Sequence, residues 1–354
     1  MKKTLLTLLQ LTVTVAVLYW VFHDPEKRAK MAVALGAADY RWILAAIGTY
    51  LVVELVAILR WHVLLKVQNI HLSLPRVTGL FMIGMFFNQF LPGGTGGDIV
   101  KSYLLVKETP GKIMGALLAV LFDRIVGLVA LICITGTLIG LRYDFLAQTP
   151  ETRNLLWALL AILGGAIASL VATFVISGFN LVDRLPQRFP GREKLRETSI
   201  AYHLYARHWG ATLTAFGCSI VAHLATFMTF LCVAYAFRAN VPAMDFFAIM
   251  PVERTISSLP ISFAGVGVRE HILQVMLGGL LGVPAPVAVL IGSMSFLVIL
   301  ACAAPGGIVY LFYRPSGGAG AASLSEMEEE VAHLEHEIAE TEGNVGGAAA
   351  PGVS

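Results

Sequence analysis

Residues 89–101 read Gln-Phe-Leu-Pro-Gly-Gly-Thr-Gly-Gly-Asp-Ile-Val-Lys, and residues 258–270 read Ser-Leu-Pro-Ile-Ser-Phe-Ala-Gly-Val-Gly-Val-Arg-Glu. Each segment contains a Leu-Pro pair, a glycine cluster and a cation nine residues after the proline, namely Lys101 and Arg269. Proline removes a backbone donor and glycine loosens the chain, so both segments are predicted to break a helix. Inside a bilayer the freed backbone groups must be satisfied by protein or by water lining a cavity. Broken apolar segments at corresponding positions of two halves are typical of a transporter's binding site.

The composition is that of a polytopic membrane protein and excludes an ordinary soluble domain. Hydrophobic residues make up 57% of the 354 positions, charged residues make up 14%, and the mean hydropathy is +0.75. A bilayer core of about 30 Å takes roughly 20 apolar residues to cross. The sequence therefore predicts an all-α fold with six full spans, near 4–22, 41–65, 113–141, 154–178, 210–237 and 285–313. The first is predicted to be retained, because no small-residue cleavage site follows it.

The two broken segments are predicted to form shorter hairpins near 75–107 and 243–281. Their arms have fewer than 20 residues, which is marginal for a full crossing, so both hairpins are predicted to be re-entrant. If both arms crossed instead, the number of spans would be ten.

Basic residues predict the orientation. The loop between the fourth and fifth spans is the most basic, which indicates the cytoplasmic side and places both termini there, in the cell inner membrane. The first hairpin then enters from the cytoplasm and the second from outside, which predicts an inverted repeat. The connection at 23–41 is discordant, since Lys27, Arg28, Lys30 and Arg41 lie on the outer side.

The chain is predicted to divide into a transmembrane domain at 1–315 and a linker, short acidic helix and disordered tail at 316–354. The chain has 25 Lys and Arg against 23 Asp and Glu, but eight of the glutamates lie after residue 322. The remaining basic excess suits anionic lipid headgroups, although positive-inside loops also explain it. Apolar heptad positions in the tail predict at most weak homo-oligomerisation. Residues 192–207 are predicted to be a basic amphipathic stretch on the inner face.

Charged residues at membrane depth are the strongest candidates for a binding site. A lone charge at the bilayer centre costs about 2.5–3.5 kcal/mol on insertion scales, so such groups must pair or face a wet cavity. Buried structural salt bridges between the repeats are the alternative explanation. The candidates of this kind are Glu54, Asp123, Arg124, Glu253, Arg254, Arg269 and Glu270.

The glycine clusters are the second group of candidates. Residues 98–106 are predicted to be helical, and a helix N-terminus presents free amides to an anion. A headgroup phosphate or carboxylate site is one interpretation; a flexible break with Asp98 as a helix cap is the other. The candidates are Gly93, Gly94, Gly96, Gly97, Asp98 and Lys101 in the first segment and Gly265 and Gly267 in the second. No P-loop, metal-ligand spacing or hydrolase elbow occurs, so no catalytic residue, metal, cofactor or nucleic-acid partner is predicted.

Three segments carry a family resemblance: FNQFLPGGTGGDIVKSYLL at 87–105, LFDRIVGLVAL at 121–131 and LPISFAGVGVREHIL at 259–273. Together they resemble the flippase-like family, also described as the lysylphosphatidylglycerol synthase transmembrane region, over roughly residues 5–315. The resemblance implies inverted re-entrant helices that move or hold lipid-linked headgroups, such as aminoacylated phosphatidylglycerol or polyprenyl-linked sugars. No soluble catalytic domain follows residue 315, so the chain is expected not to be an enzyme.

The leading hypothesis is a lipid flippase-like transporter that moves an anionic or lipid-linked headgroup across the inner membrane. Glycine amides with Lys101, Arg124 and Arg269 would hold the headgroup, while Glu54, Asp98 and Glu270 would balance charge. A lipid-binding accessory subunit of a separate synthase or glycosyltransferase is the first alternative, and a membrane enzyme acting on a headgroup is the second.

Overall fold

The computed structural model describes residues 25–90, 96–178, 200, 203–259 and 262–314, and no strand occurs among them. The all-α prediction is therefore confirmed. The predicted span at 4–22, the acidic tail, and Gly93 and Gly94 lie outside the described residues. The helices are α1 (Pro25–Gly36), α2 (Tyr40–Val67), α3 (Leu74–Phe90), α4 (Gly96–Glu108), α5 (Ile113–Leu146), α6 (Pro150–Gly178), α7 (Trp209–Ala236), α8 (Ala243–Ser257), α9 (Val268–Leu281), α10 (Ala285–Ala303) and α11 (Pro305–Phe312).

Five stretches are long and apolar enough to cross a membrane: α2, α5, α6, α7 and the run from α10 through α11. They match the five predicted spans in the described part of the chain. The last one is divided at Pro305, where the proline occupies the first position of α11. Proline is tolerated there because the first amides of a helix have no partner in it.

Both predicted helix breaks are present. Arms α3 and α4 have 17 and 13 residues. Arms α8 and α9 have 15 and 14, and a 3₁₀ turn (Phe263–Gly265) lies between them. In each hairpin the two arms pack against each other. All four arms are shorter than a full crossing requires. Re-entry into a bilayer remains a prediction.

The order of elements repeats along the chain, with a 28-residue helix, a broken hairpin and then another apolar helix. The two 28-residue helices, α2 and α7, pack side by side in opposite directions. Near one end, Asp39 N donates to Ala236 O at 2.8 Å. Further along, the Thr49 and Thr229 hydroxyls are 2.9 Å apart. Since residue numbers rise in α2 as they fall in α7, the first long helices of the two halves run in opposite directions, as the predicted inverted repeat requires.

Packing between the halves is reciprocal. Helix α5, which follows the first hairpin, contacts α8 of the second, and α10, which follows the second hairpin, contacts α3 of the first. Helix α11 also packs closely on α3. The approach at Gly306 is so close that a Cβ there would overlap the carbonyl oxygen of Met82. Small residues at such contacts let helices approach closely, which favours association inside a membrane.

Polar contacts tie the first hairpin to the segment after α11 and the second hairpin to α5. Arg76, at the start of α3, pairs with Glu108, which also accepts a hydrogen bond from the Tyr313 hydroxyl at 2.6 Å. Burial raises the pKa of the Tyr313 hydroxyl, so it remains a donor at neutral pH. In the second hairpin, Asp245 near the start of α8 pairs with Arg142 near the end of α5.

The predicted amphipathic stretch at 192–207 is described only at residues 200 and 203–207. Its Tyr205 is fully buried, which differs from the expected surface location. The Tyr205 ring stacks on Phe122 of α5 at 3.8 Å, and its hydroxyl donates to Leu64 O at 3.2 Å. Tyr205 thus anchors the segment before α7 to α2 and α5.

Candidate functional site

The two arms of the first hairpin pack against each other through a contact between two glycines, Gly84 and Gly97. A Cβ on Gly97 would overlap the carbonyl oxygen of Gly84, so the two arms approach more closely there than other residues would allow. The Gly97 amide donates to Asn88 Oδ1 at 3.0 Å. This amide is therefore satisfied inside the hairpin, and Lys101 lies one helical turn after it.

Lys101 belongs to a buried charge cluster that joins four helices. Its ammonium lies 3.6 Å from Asp123 Oδ2 and 4.6 Å from the centre of the Trp61 ring. Asp123 Oδ1 accepts a hydrogen bond from Arg60 Nε at 2.8 Å, and Arg60 Nη1 donates to Ser219 Oγ at 3.0 Å. Because α2, α4, α5 and α7 each supply a member, the cluster holds the first hairpin against the antiparallel helix pair.

A second ion pair lies beside this cluster. Asp98, in the first turn of α4, pairs with Arg124 Nε and lies 3.9 Å from the Lys101 ammonium. The side chain of Arg124 is 52% exposed, so one end of this pair faces open space. Asp98 thus balances two cations at the edge of a cavity.

That cavity has a volume of about 510 Å³ and lies between α2, α3, α4, α5, α7 and α8. It collects six of the predicted site residues. The other polar groups on its wall are Arg60, Asn88, His223 and Thr226. The six predicted residues are Glu54, Asp98, Lys101, Asp123, Arg124 and Arg254.

A smaller cavity of about 260 Å³ adjoins the first where the two hairpins meet. Asn88 and Gln89 from the end of α3 face residues of the second hairpin, including Gly265 and Arg269. Asn88, Arg124 and Arg254 line both cavities. Lys101 and Arg269, predicted to address one site together, therefore lie in neighbouring compartments that share these three residues.

Arg269 has a buried partner in its own hairpin. Its Nε lies 3.4 Å from Glu253 Oε1, and Glu253 is fully buried. Arg269 Nη2 also donates to Ala264 O at 3.1 Å. The turn that places this carbonyl has positive φ at Ala264, Gly265 and Gly267, and a Cβ on Gly265 would lie 2.8 Å from Ser257 O.

Glu270 acts as a helix cap in this structure. Its Oε2 accepts a hydrogen bond from Gly267 N at 2.6 Å, and its Oε1 accepts one from Ser293 Oγ at 3.2 Å. A carboxylate in the first turn satisfies otherwise free amides and suits the helix dipole. Glu253 and Glu270 therefore contact protein groups and line neither cavity.

Sequence reasoning missed Arg60, Asn88 and His223. Arg60 follows Glu54 by six residues in the same apolar span, so its depth was a usable signal. Asn88 and His223 carry no comparable signal, because a single polar residue in an apolar run usually reflects packing. Among the described residues, no three His, Cys, Asp or Glu side chains are placed to hold a metal ion. The expected absence of metals and cofactors remains a prediction.

Comparison with known proteins relates this chain to membrane proteins. A protein from Pyrococcus horikoshii described as UPF0104 membrane protein PH1989 is 33% identical over 134 residues, which are 37% of this chain and 38% of that protein. The chain therefore matches well under half of that relative's length. No solved structure matches. The family described as the lysylphosphatidylglycerol synthase TM region matches residues 7–306, and the chain belongs to this family.

Proposed function

We propose that this protein moves lipids with an anionic headgroup between the leaflets of a membrane. The observation that carries the proposal is Arg254. Among the described residues its side chain forms no ion pair or hydrogen bond, and it lines both cavities where the two hairpins meet.

Apart from Glu54, the other charged side chains around Arg254 are compensated. Asp123 balances Arg60 and Lys101, Asp98 pairs with Arg124, and Glu253 pairs with Arg269. A lone cation in an apolar bundle is costly, so Arg254 favours an anion that enters from outside the protein. A headgroup phosphate bound there would form charge-assisted hydrogen bonds worth roughly 1.5–3 kcal/mol each.

The inverted halves support movement of the headgroup in addition to holding it. Transporters with inverted repeats place the binding site where the repeats meet and expose it to alternate sides by rocking one repeat against the other. Here both hairpin ends border the shared wall of the two cavities. No nucleotide motif occurs, so movement would follow a lipid or ion gradient. The same proposal places the protein in the inner membrane with both termini in the cytoplasm. It also holds that the protein moves lipid without acting as an enzyme.

The test is reconstitution of the purified chain into liposomes containing labelled phosphatidylglycerol. Wild type should expose inner-leaflet label to an external quencher, and Arg254→Gln should slow this at least tenfold. Arg153→Gln, an exposed position on α6, is the matched control and should behave as wild type.

The outcomes separate the alternatives. Saturable lipid binding without translocation would favour an accessory subunit that presents lipid to a separate enzyme. Formation of a modified lipid would favour a membrane enzyme. If Arg254→Gln translocated lipid at the wild-type rate, the assignment of the headgroup site would be wrong.

A further inference from the structure

Glu54 is a buried acidic group that the proposed headgroup site does not use. It lies in the middle of α2, lines the larger cavity and is 8% exposed. Its Oε1 is buried without a hydrogen-bond partner, and no ion pair to Glu54 occurs among the described residues. The other two carboxylates of the cavity, Asp98 and Asp123, are both paired with cations.

An ionised carboxylate in such a place is strongly disfavoured, because burial removes its water without supplying donors. A proton removes the charge and needs no protein partner. Carboxyl groups that lie alone inside a membrane bundle, facing a cavity, are frequently proton sites of pumps and transporters.

None of the groups facing Glu54 in the described structure supplies a counter-charge that would take the place of a proton. The ion-paired side chains of α4 and α5 and Arg60 are already compensated, and α3 contributes Asn88, which does not titrate. His223 on α7 contacts Gly127 O at 3.1 Å through Nε2. The remaining titratable or charged groups around Glu54 are Tyr50 on α2, Arg254 on α8 and Cys302 on α10.

We propose that Glu54 is a proton-binding site whose occupancy is linked to headgroup binding in the same cavity. The cavity lining carries four cations against Asp98 and Asp123, so protonation of Glu54 makes the cavity more positive and strengthens binding of an anionic headgroup, whereas ionisation of Glu54 weakens it. The linkage rests on the proposed lipid function; the proton site itself does not.

The sign and size of the linkage follow from electrostatics. A roughly spherical cavity of about 510 Å³ is about 10 Å across, and two unit charges ~10 Å apart at an effective dielectric of ~20 change a binding constant about tenfold. Coupling between two sites is reciprocal, so a bound anion also strengthens proton binding at Glu54. Anion affinity should be highest when Glu54 is protonated and should fall as rising pH ionises it.

The experiment uses the purified full chain in detergent and dioctanoyl phosphatidylglycerol as the probe, whose phosphodiester keeps one negative charge throughout. Wild-type affinity for the probe should fall about tenfold as pH rises. Over the same pH range, infrared spectroscopy should record loss of a protonated-carboxyl band. Glu54→Gln should remove that band and keep the low-pH affinity at every pH. Glu151→Gln, an exposed glutamate on α6, is the matched control and should titrate as wild type.

Other outcomes would overturn the proposal. A pH dependence that survives Glu54→Gln, or that disappears in His223→Gln, would assign the titration elsewhere. Probe affinity that does not change with pH, together with an infrared band that Glu54→Gln removes, would refute the linkage. Failure of the probe to bind would refute the proposed function, and the infrared band alone would then decide whether Glu54 binds a proton.

Discussion

Removal of the Arg269 charge should mainly lower the stability of the protein, because Arg269 pairs with a buried carboxylate in the second hairpin. Glu253 is fully buried, and Arg269 lies 3.4 Å from its carboxylate. Breaking a buried ion pair by removing one partner costs about 3–5 kcal/mol, because the remaining charge loses its compensation. The lost hydrogen bond to Ala264 O adds about 1 kcal/mol. Arg269→Gln should therefore destabilise the protein by about 4–6 kcal/mol.

Thermal unfolding in detergent measures this effect. An unfolding entropy of about 2.1 cal/mol/K per residue gives a shift of roughly 1.3 °C per kcal/mol for a chain of 354 residues, so Arg269→Gln should lower Tm by roughly 5–8 °C. The double variant Glu253→Gln/Arg269→Gln should recover most of the loss, since neither charge of this buried pair remains. Such non-additivity is expected for residues in contact.

Two results would contradict a structural role for Arg269. If Arg269→Gln kept the wild-type Tm but bound dioctanoyl phosphatidylglycerol more than tenfold more weakly, Arg269 would contact the headgroup instead of holding the hairpin. A double variant whose loss equals the sum of the two single losses would also contradict the pairing.

The remaining predictions concern the first hairpin, the topology and the Tyr205 anchor. Gly97→Ala should reduce the yield of folded protein, because its Cβ would overlap Gly84 O, whereas Gly111→Ala, with no atom within 4 Å of the new Cβ, should fold normally; equal yields by size-exclusion chromatography would contradict this. Cysteines introduced at 192–200 should be labelled only from the cytoplasmic side and those at 144–152 only from outside; labelling of both loops from the same side would refute the predicted inverted repeat. Tyr205→Phe should lower stability by about 1 kcal/mol through loss of the hydroxyl bonds to Leu64 O and Gln68, and an unchanged Tm would show that the ring stack alone anchors the segment.

The sequence predicted several residues that line the candidate site. It did not predict which of these charged side chains form ion pairs with each other. Depth in apolar runs singled out seven residues, of which Glu54, Asp123, Arg124 and Arg254 line the larger cavity. Arg269 lines the smaller cavity, and Glu253 and Glu270 line neither. Arg60 was missed, although it supplies the closest partner of Asp123. The depth of Arg60 in the span indicated burial, but the partner that it meets depends on the rotation of α2 against its neighbours, which the sequence does not give.

The sequence by itself determined the membrane class, the five described spans and the two helix breaks. These are local properties, because apolar length and the backbone effects of proline and glycine act within a few residues. Only the tertiary structure decided which charges meet. Lys101 and Arg269 have the same place in their motifs, yet Lys101 pairs with Asp123 from α5, while Arg269 pairs with Glu253 from its own hairpin. Ion pairs require close approach of the two side chains, and that approach depends on how glycine contacts and antiparallel helices bring distant segments together.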